Sequence, residues 1–250
     1  MQLQLIRSAT MRFNYNLCHF LTDPYLSPRH ALPSYTGKSP NPLVDLPIST
    51  EAVLRGIEMA LISHLHSDHF DPLGAELLPK DLPILCQPDD VERLAAKGFT
   101  NLRPVEDSLQ WQGITFTRIP GRHGTGSVLD QMGHASGFVF QTPHEPTVYW
   151  VGDSNWYETV AEAITRFDPD IIITHSNGAV WGEHVQIVMD EAQTLAVCEA
   201  APRSTVVAVH MEALDHGTVT RTQLRQAADA RGIGPERLLI PNDGEKLAFS

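Results

Sequence analysis

The chain has 250 residues, a formal net charge of −12 and three cysteines. Its length is typical of one large α/β domain with a substantial core. The negative charge and the lack of basic runs argue against a nucleic-acid partner, because phosphate recognition needs clustered lysine and arginine. Cys18, Cys86 and Cys198 stand far apart in apolar contexts, which is typical of buried thiols and not of a disulfide framework.

The first residues alternate polar and apolar side chains over 1–7 and lack the long apolar core of a signal peptide. No stretch approaches the roughly 20 apolar residues that a membrane span needs. We therefore expect a cytoplasmic protein without a membrane span that acts on a small-molecule substrate. Whether it forms a homo-oligomer is left open.

Strands are predicted over residues 2–7 and 10–22. Residues 24–50 differ from them in composition. This segment holds six prolines, which lack a backbone N–H, so it offers few donors for regular structure. Two interpretations remain open. The segment is either an irregular surface connection or a lid that faces the substrate, because long loops without secondary structure are often functional.

A cluster of metal-ligand side chains follows the apolar run at 59–62, which is predicted to be a buried strand. Asp71 and Pro72 after the cluster are typical of a helix start. Imidazole and carboxylate groups are the ligands that zinc and similar divalent ions prefer. The loop between strand and helix therefore predicts a metal site. The four ligand-type residues are His64, His66, Asp68 and His69; the first two can face one ion and the last two a second.

The second half of the chain alternates helices and strands, and neither a linker nor an internal repeat divides it. Strands followed by helix–strand units, twice over, favour two sheets packed face to face with helices outside. We therefore expect an α/β fold in a single domain over residues 1–250. Near the end, Asn242, Asp243 and Gly244 separate predicted strands at about 237–240 and 245–249, a pattern typical of a hairpin turn.

Three further ligand candidates each come directly after a predicted buried strand, so a shared sheet edge would bring them to the cluster. They are His123, Asp153 and His210. Asp153 could bridge two ions, because a carboxylate has two oxygens. His134 lies in the same loop as His123 and is the alternative ligand, although His123 is closer to the strand end.

Two other histidines stay unassigned at this point. His175 follows the predicted strand at 171–174, so it could reach the edge of the site, and His216 lies a few residues after His210. Each has either a structural role or a role in substrate binding or proton transfer.

Taken in order, these ligand candidates resemble the motifs of the metallo-β-lactamase superfamily, and the match spans nearly the whole chain. The resemblance implies an αββα four-layer sandwich of the metallo-β-lactamase type with a dinuclear metal site. It assigns the first metal to His64, His66 and His123, and the second to Asp68, His69 and His210, with Asp153 bridging.

A second, less specific likeness concerns the segments Leu21-Thr22-Asp23-Pro24 and Gly137-Phe138-Val139. They are similar to the branch that contains the ascorbate-6-phosphate lactonase-like proteins, and the N-acyl-phosphatidylethanolamine phospholipase D-like proteins share part of the pattern. The branch implies manganese as readily as zinc, whereas the histidine-rich ligand set favours zinc. Iron is a further alternative.

Two ions roughly 3.5–4 Å apart can lower the pKa of a bridging water and produce hydroxide. The chain is therefore predicted to be a metal-dependent hydrolase in which Asp68 also orients the nucleophile. Asp68, His175 or His216 would supply the proton for the leaving group. The branch resemblance favours a lactone or other small carboxylic ester as the substrate, and a phosphodiester fits the same metals. The alternative from another class is a non-catalytic metal-binding regulatory protein.

Overall fold

The computed structural model describes residues 1–249. Its strands are β1 (Gln2–Arg7), β2 (Thr10–Tyr15), β3 (Cys18–Thr22), β4 (Met59–Ile62), β5 (Ile84–Cys86), β6 (Leu102–Pro104), β7 (Ser108–Trp111), β8 (Ile114–Pro120), β9 (Ser136–Gln141), β10 (Val148–Trp150), β11 (Ile171–His175), β12 (Val180–Trp181), β13 (Val185–Gln186), β14 (Thr205–Val209), β15 (Leu238–Leu239) and β16 (Lys246–Ala248).

The helices are α1 (Thr50–Leu54), α2 (Pro72–Leu77), α3 (Val91–Ala96), α4 (Ser127–Met132), α5 (Glu158–Phe167), α6 (Glu191–Ala200) and α7 (Arg221–Ala230). A single turn of 3-10 helix (Pro88–Asp90) leads into α3. Over residues 1–249, none of the helices has both the length and the apolar character needed to cross a bilayer.

The fold is built on two seven-stranded sheets. One has the strand order β16-β1-β2-β3-β4-β5-β6, and the other has the order β15-β14-β11-β10-β9-β8-β7. In the first sheet β3 to β6 run parallel to one another. In the second, β8 and β10 both pair antiparallel with β9, while β10, β11 and β14 are parallel. The carboxyl ends of β8, β10, β11 and β14 therefore lie at one edge.

The sheets pack face to face over an aromatic core, and helices cover both outer faces. Phe13 stacks on Phe20 with ring centroids 4.8 Å apart, and Phe140 from the opposite sheet packs edge-on against both. Apolar side chains of α5, α6 and α7 pack on the second sheet, and those around α2 and α3 pack on the first. These four layers confirm the predicted αββα sandwich.

The predicted hairpin at 242–244 is wrong. β15 pairs with β14 in the second sheet, whereas β16 pairs with β1 in the first, so the turn crosses from one sheet to the other. The Gly244 N–H donates to Leu5 O at 2.7 Å, and Leu5 N–H donates to Glu245 O at 3.0 Å. The turn residues specify a local bend, but long-range partners decide which strands pair.

Helix α4 was not predicted from the sequence, which indicated only a break in strand pairing at 121–126. Gly126 and Gly133 flank the helix with φ of 56° and 71°, which glycine adopts at no steric cost. A helix this short gives little periodic signal. α4 matters because its last residues border the site described below.

Candidate metal centre

The predicted ligands follow strands that end at the same side of the two sheets. His64 comes two residues after β4, His123 three residues after β8, Asp153 three residues after β10, and His210 directly after β14. β4 and β10 are fully buried and β14 is buried except at its first residue, whereas β8 alternates buried and partly exposed residues over most of its length. Rigid strands therefore bring together side chains that span residues 64–210.

His64, His66 and His123 form one group of converging nitrogen atoms, all within 4.8 Å of one another. His66 Nδ1 lies 3.0 Å from His64 Nε2 and 3.3 Å from His123 Nε2. Three nitrogens bound to one tetrahedral zinc ion are separated by about 3.4 Å, so the spacing suits a single ion. His134, the alternative to His123, lies outside this group on the surface, where its Nδ1 meets Asp89 Oδ2 at 2.5 Å.

His69 and His210 form the second group with two carboxylates. Their Nε2 atoms are 3.0 Å apart, and Asp68 Oδ2 lies 3.8 Å from the first and 3.6 Å from the second. Asp153 Oδ2 lies 3.2 Å from His69 Nε2 and 3.6 Å from His123 Nε2. The Asp153 carboxylate therefore lies between the two groups, within 3.6 Å of a histidine nitrogen in each.

Four of these histidines turn Nε2 inward and contact an outer partner through Nδ1. The contacts join His64 to Ser63 Oγ (2.9 Å), His69 to Asp23 Oδ2 (2.6 Å), His123 to Ile187 O (2.9 Å) and His210 to Ser8 Oγ (3.1 Å). Asp23 Oδ2 and Ile187 O can only accept, and Ser63 Oγ already donates to Asp23, so these three partners require the proton on Nδ1 and leave Nε2 available to a metal ion. Ser8 Oγ orients the His210 ring. The residues therefore fit a metal centre.

The charges around the cluster support the same conclusion. Burial lowers the pKa of His64 well below its ordinary value, that of His66 to about 4 and that of His210 to about 3, so these rings are neutral, as metal ligands must be. Burial also disfavours the charged form of His69, but Asp153 and its neighbouring carboxylates outweigh this and raise the His69 pKa well above its ordinary value. The buried carboxylates of Asp23, Asp68 and Asp153 need a compensating positive charge, which a bound metal cation would supply.

His175 lies behind Asp153 and does not line the cavity. Its Nδ1 is 2.5 Å from Asp153 Oδ1, and the Trp150 indole N–H donates to its Nε2 at 2.9 Å. Because an indole nitrogen can only donate, His175 Nε2 is the acceptor and Nδ1 carries the proton that it donates to Asp153. Both ring nitrogens are thus engaged, and all three side chains are buried.

A cavity of about 240 Å³ opens onto the cluster. Four ligand candidates line it, namely His66, Asp68, His123 and Asp153. The other lining residues are Tyr35, Ser67, Gln131, Met132, Trp181, Ile187 and His216. The His216 ring packs edge-on against Tyr35 with centroids 4.8 Å apart. Its buried Nδ1 has no hydrogen-bond partner among the described residues. Within residues 1–249, no lysine or arginine lines this cavity.

Left-handed backbone conformations orient two of the ligand candidates, Asp153 and His210. Gly152, just before Asp153, has φ +69°, and a Cβ there would lie 2.7 Å from Ser136 O. Only glycine fits this turn without strain. His210 has φ 63°, in the left-handed region that is costly for a residue with a side chain. Its N–H donates to Ser8 O at 3.0 Å, which helps to hold that conformation.

Four residues around the site were not predicted from the sequence. Asp23 contacts the ligand candidate His69, and Tyr35 contacts Asp68. Trp150 contacts His175, and Asp215 contacts the backbone of Tyr35. Asp23 directly follows β3, and a carboxylate just past a buried strand is the signal that had identified Asp153. Tyr35 belongs to the irregular segment 24–50, and Asp215 to the loop after β14. Neither has a local sequence pattern that would have singled it out.

Known proteins resemble this chain over most or all of its length. Residues 19–211 match the family model described as a beta-lactamase superfamily domain. The UPF0173 protein YddR of Bacillus subtilis is 31% identical, and the alignment covers 100% of both chains.

Two solved structures superpose closely on this fold. An isothiocyanate hydrolase from Delia radicum gut bacteria has 34% sequence identity and a TM-score of 0.93, and the match covers 100% of this chain and 99% of that one. A possible metal-dependent hydrolase from Veillonella parvula has 32% identity and a TM-score of 0.95, with coverage of 100% and 99%. The sequence-based resemblance to metallo-β-lactamase proteins is thereby confirmed.

Proposed function

Since the chain belongs to the beta-lactamase superfamily and is a metal-dependent hydrolase, we propose that it hydrolyses a small uncharged molecule at an electrophilic carbon, most specifically an isothiocyanate, R–N=C=S. The observation that carries this proposal is the apolar part of the cavity lining. Apolar and aromatic side chains such as Met132, Trp181 and Ile187 suit an uncharged R group, and among residues 1–249 no cationic side chain lines the cavity to attract an anion. The isothiocyanate hydrolase that is 34% identical over the whole chain supports the same substrate class.

The proposal includes two divalent ions. His64, His66 and His123 would hold one, and Asp68, His69 and His210 the other, with Asp153 between them. The nitrogen-rich donor set favours zinc, with manganese or iron as alternatives. When bound, the ions supply a water molecule of lowered pKa and a positive field for the charge that develops on the substrate.

Side chains of the protein carry out the proton transfers. Asp68 turns Oδ2 toward His69 and His210 and keeps Oδ1 on the side of Tyr35, 3.3 Å from its hydroxyl. Oδ1 can therefore accept the proton of the attacking water. His216, which lines the same cavity, delivers a proton to the leaving nitrogen. In this proposal His175 positions Asp153 and does not touch the substrate.

The proposed reaction balances with water alone. Water adds across the C=N bond of R–N=C=S and gives the thiocarbamate R–NH–C(=O)–SH. The C–N bond then breaks, the nitrogen takes the sulfur-bound proton by way of the protein, and the products are the amine R–NH₂ and carbonyl sulfide. No oxidant or further reactant is required.

A lactone or other small carboxylic ester is the second candidate. The observation that favours it is the pair Tyr35 and His216, whose polar side chains line the cavity and offer hydrogen bonds to a carbonyl oxygen. A phosphodiester is less well supported, because among residues 1–249 no arginine or lysine, the usual partner of a phosphate, lines the cavity.

The test uses protein stripped of metal and reloaded with zinc or with manganese. Each preparation is incubated with phenethyl isothiocyanate, a small lactone, an aryl acetate and a nitrophenyl phosphodiester, and amine or acid release is measured by mass spectrometry. Metal-free protein controls for direct reaction with thiols. That background should be slow, because burial raises the pKa of Cys18 and Cys198 to about 11 and that of Cys86 to about 12.

Isothiocyanate turnover that requires metal and is lost in Asp68→Asn would support the first candidate. Faster metal-dependent turnover of the lactone or acetate would replace it with the second. Protein that binds metal but turns over none of the four compounds would overturn the catalytic proposal and favour a metal-binding regulatory protein.

A further inference from the structure

Tyr35 reaches the candidate site from the irregular segment 24–50. Its hydroxyl lies 2.6 Å from Ser67 Oγ and 3.3 Å from Asp68 Oδ1. The ring packs edge-on against His216 and against Trp181, with centroids 4.8 Å and 6.5 Å away. The phenol therefore faces the carboxylate on which the proposed reaction depends, from the wall of the cavity where substrate would bind.

The Asp215 carboxylate holds this part of the segment in place. It accepts hydrogen bonds from Ser34 Oγ at 2.5 Å, from the backbone N–H groups of Tyr35 and Thr36 at 3.1 Å each, from Thr36 Oγ1 at 2.7 Å and from Asn41 Nδ2 at 2.9 Å. In return the Asp215 N–H donates to Asn41 Oδ1 at 3.0 Å. A charged acceptor with this many donors fixes the Tyr35 backbone rather than leaving it mobile.

The phenol is suited to donate a hydrogen bond and not to release its proton. A phenol has an ordinary pKa of about 10, so the Tyr35 hydroxyl carries its proton near neutral pH and can donate it in a hydrogen bond. Its 3.3 Å contact with Asp68 Oδ1 is at the long end of the hydrogen-bond range. An acceptor on the substrate can therefore replace that contact at little cost.

We propose that Tyr35 Oη donates a hydrogen bond to the substrate atom that gains negative charge as water adds to the electrophilic carbon. For an isothiocyanate that atom is the nitrogen, and for an ester it is the carbonyl oxygen. This role rests on the proposed hydrolase function. The hydrogen bond stabilises the developing anion, while Asp68 and His216 carry the protons, so Tyr35 is a catalytic residue that undergoes no net protonation change.

The test compares Tyr35→Phe with Tyr25→Phe in metal-loaded protein. Tyr25 lies in the same segment and is fully buried, and its hydroxyl has no hydrogen-bond partner among the described residues. Both variants remove one phenol oxygen, but only the first removes a donor from the cavity. Tyr35→Phe should lower kcat by about 100-fold, in line with the loss of one oxyanion donor, with KM changed less than about threefold. Tyr25→Phe should keep the wild-type kcat.

Metal content and thermal midpoint are measured on both variants. A fall in kcat at unchanged metal content supports the inference. Unchanged kcat in Tyr35→Phe, or a fall that tracks lost metal, overturns it, because the phenol would then be dispensable or merely structural. Failure of the proposed function is a separate result, since it shows as a wild-type protein that turns over neither isothiocyanates nor esters.

Discussion

Replacement of Asp23 by Asn tests whether a carboxylate outside the ligand cluster sets metal affinity. Asp23 is fully buried at the end of β3. Oδ1 accepts from the Ser63 N–H at 2.8 Å, and Oδ2 contacts Ser63 Oγ at 2.7 Å and His69 Nδ1 at 2.6 Å. The amide of Asn has the same shape but replaces one acceptor oxygen with an NH₂ donor, so one of these contacts becomes donor against donor.

The free-energy cost of Asp23→Asn can be derived from these contacts in two ways. A buried donor left without an acceptor costs about 1–3 kcal/mol. Alternatively His69 moves its proton from Nδ1 to Nε2, which removes Nε2 as a ligand, and loss of such an outer partner weakens metal binding by about 10–100-fold. That range corresponds to about 1.4–2.7 kcal/mol, so the two routes agree.

The assay is a competition titration of metal-free protein against a chromophoric chelator. In Asp23→Asn one binding step should weaken by about 10–100-fold, while the step that belongs to His64, His66 and His123 changes less. Asp89→Asn is the matched control, because it removes a 2.5 Å carboxylate–imidazole contact with the exposed His134, away from the cluster. Unchanged binding in Asp23→Asn, or equal weakening in both variants, would refute the reasoning.

Three further predictions concern metal content, stability and pH. His123→Ala should lose about one of two metal equivalents by elemental analysis while His134→Ala loses none; the reverse result would contradict the ligand assignment. Trp150→Phe removes the N–H donated to His175 and part of the core volume, so it should lower the free energy of unfolding of metal-free protein by about 2–4 kcal/mol in urea titrations, and a change near zero would argue against that hydrogen bond. Burial raises the pKa of Asp90 to about 6, so the Asp90 carboxyl binds a proton more tightly in the folded protein than in the unfolded chain. The stability that results is present below about pH 4 and is lost as pH rises through 6. Asp90→Asn should therefore raise the thermal midpoint by about 2–4 °C at pH 8 and not at pH 4, and an equal shift at both pH values would contradict the pKa argument.

Much of the fold and part of the site could be predicted because their signals are local. A buried strand is an apolar run, and a metal-ligand loop is a short spacing of histidines and carboxylates, as in the residues from His64 to His69. The candidates His123, Asp153 and His210 could be named because each comes soon after such a strand. The same locality misled at Asn242 to Gly244, where a true turn signal joins strands of two different sheets.

The sequence by itself determined the layered α/β fold, the superfamily and the chemistry of the candidate ligands. Only the tertiary structure decided which distant groups meet. Asp23 reaches His69, Trp150 fixes the tautomer of His175, and Asp215 anchors Tyr35 across an interval of 180 residues. These contacts leave no periodic or spacing signal, because a hydrogen bond between distant segments depends on how whole sheets and loops pack and not on the residues adjacent in the chain.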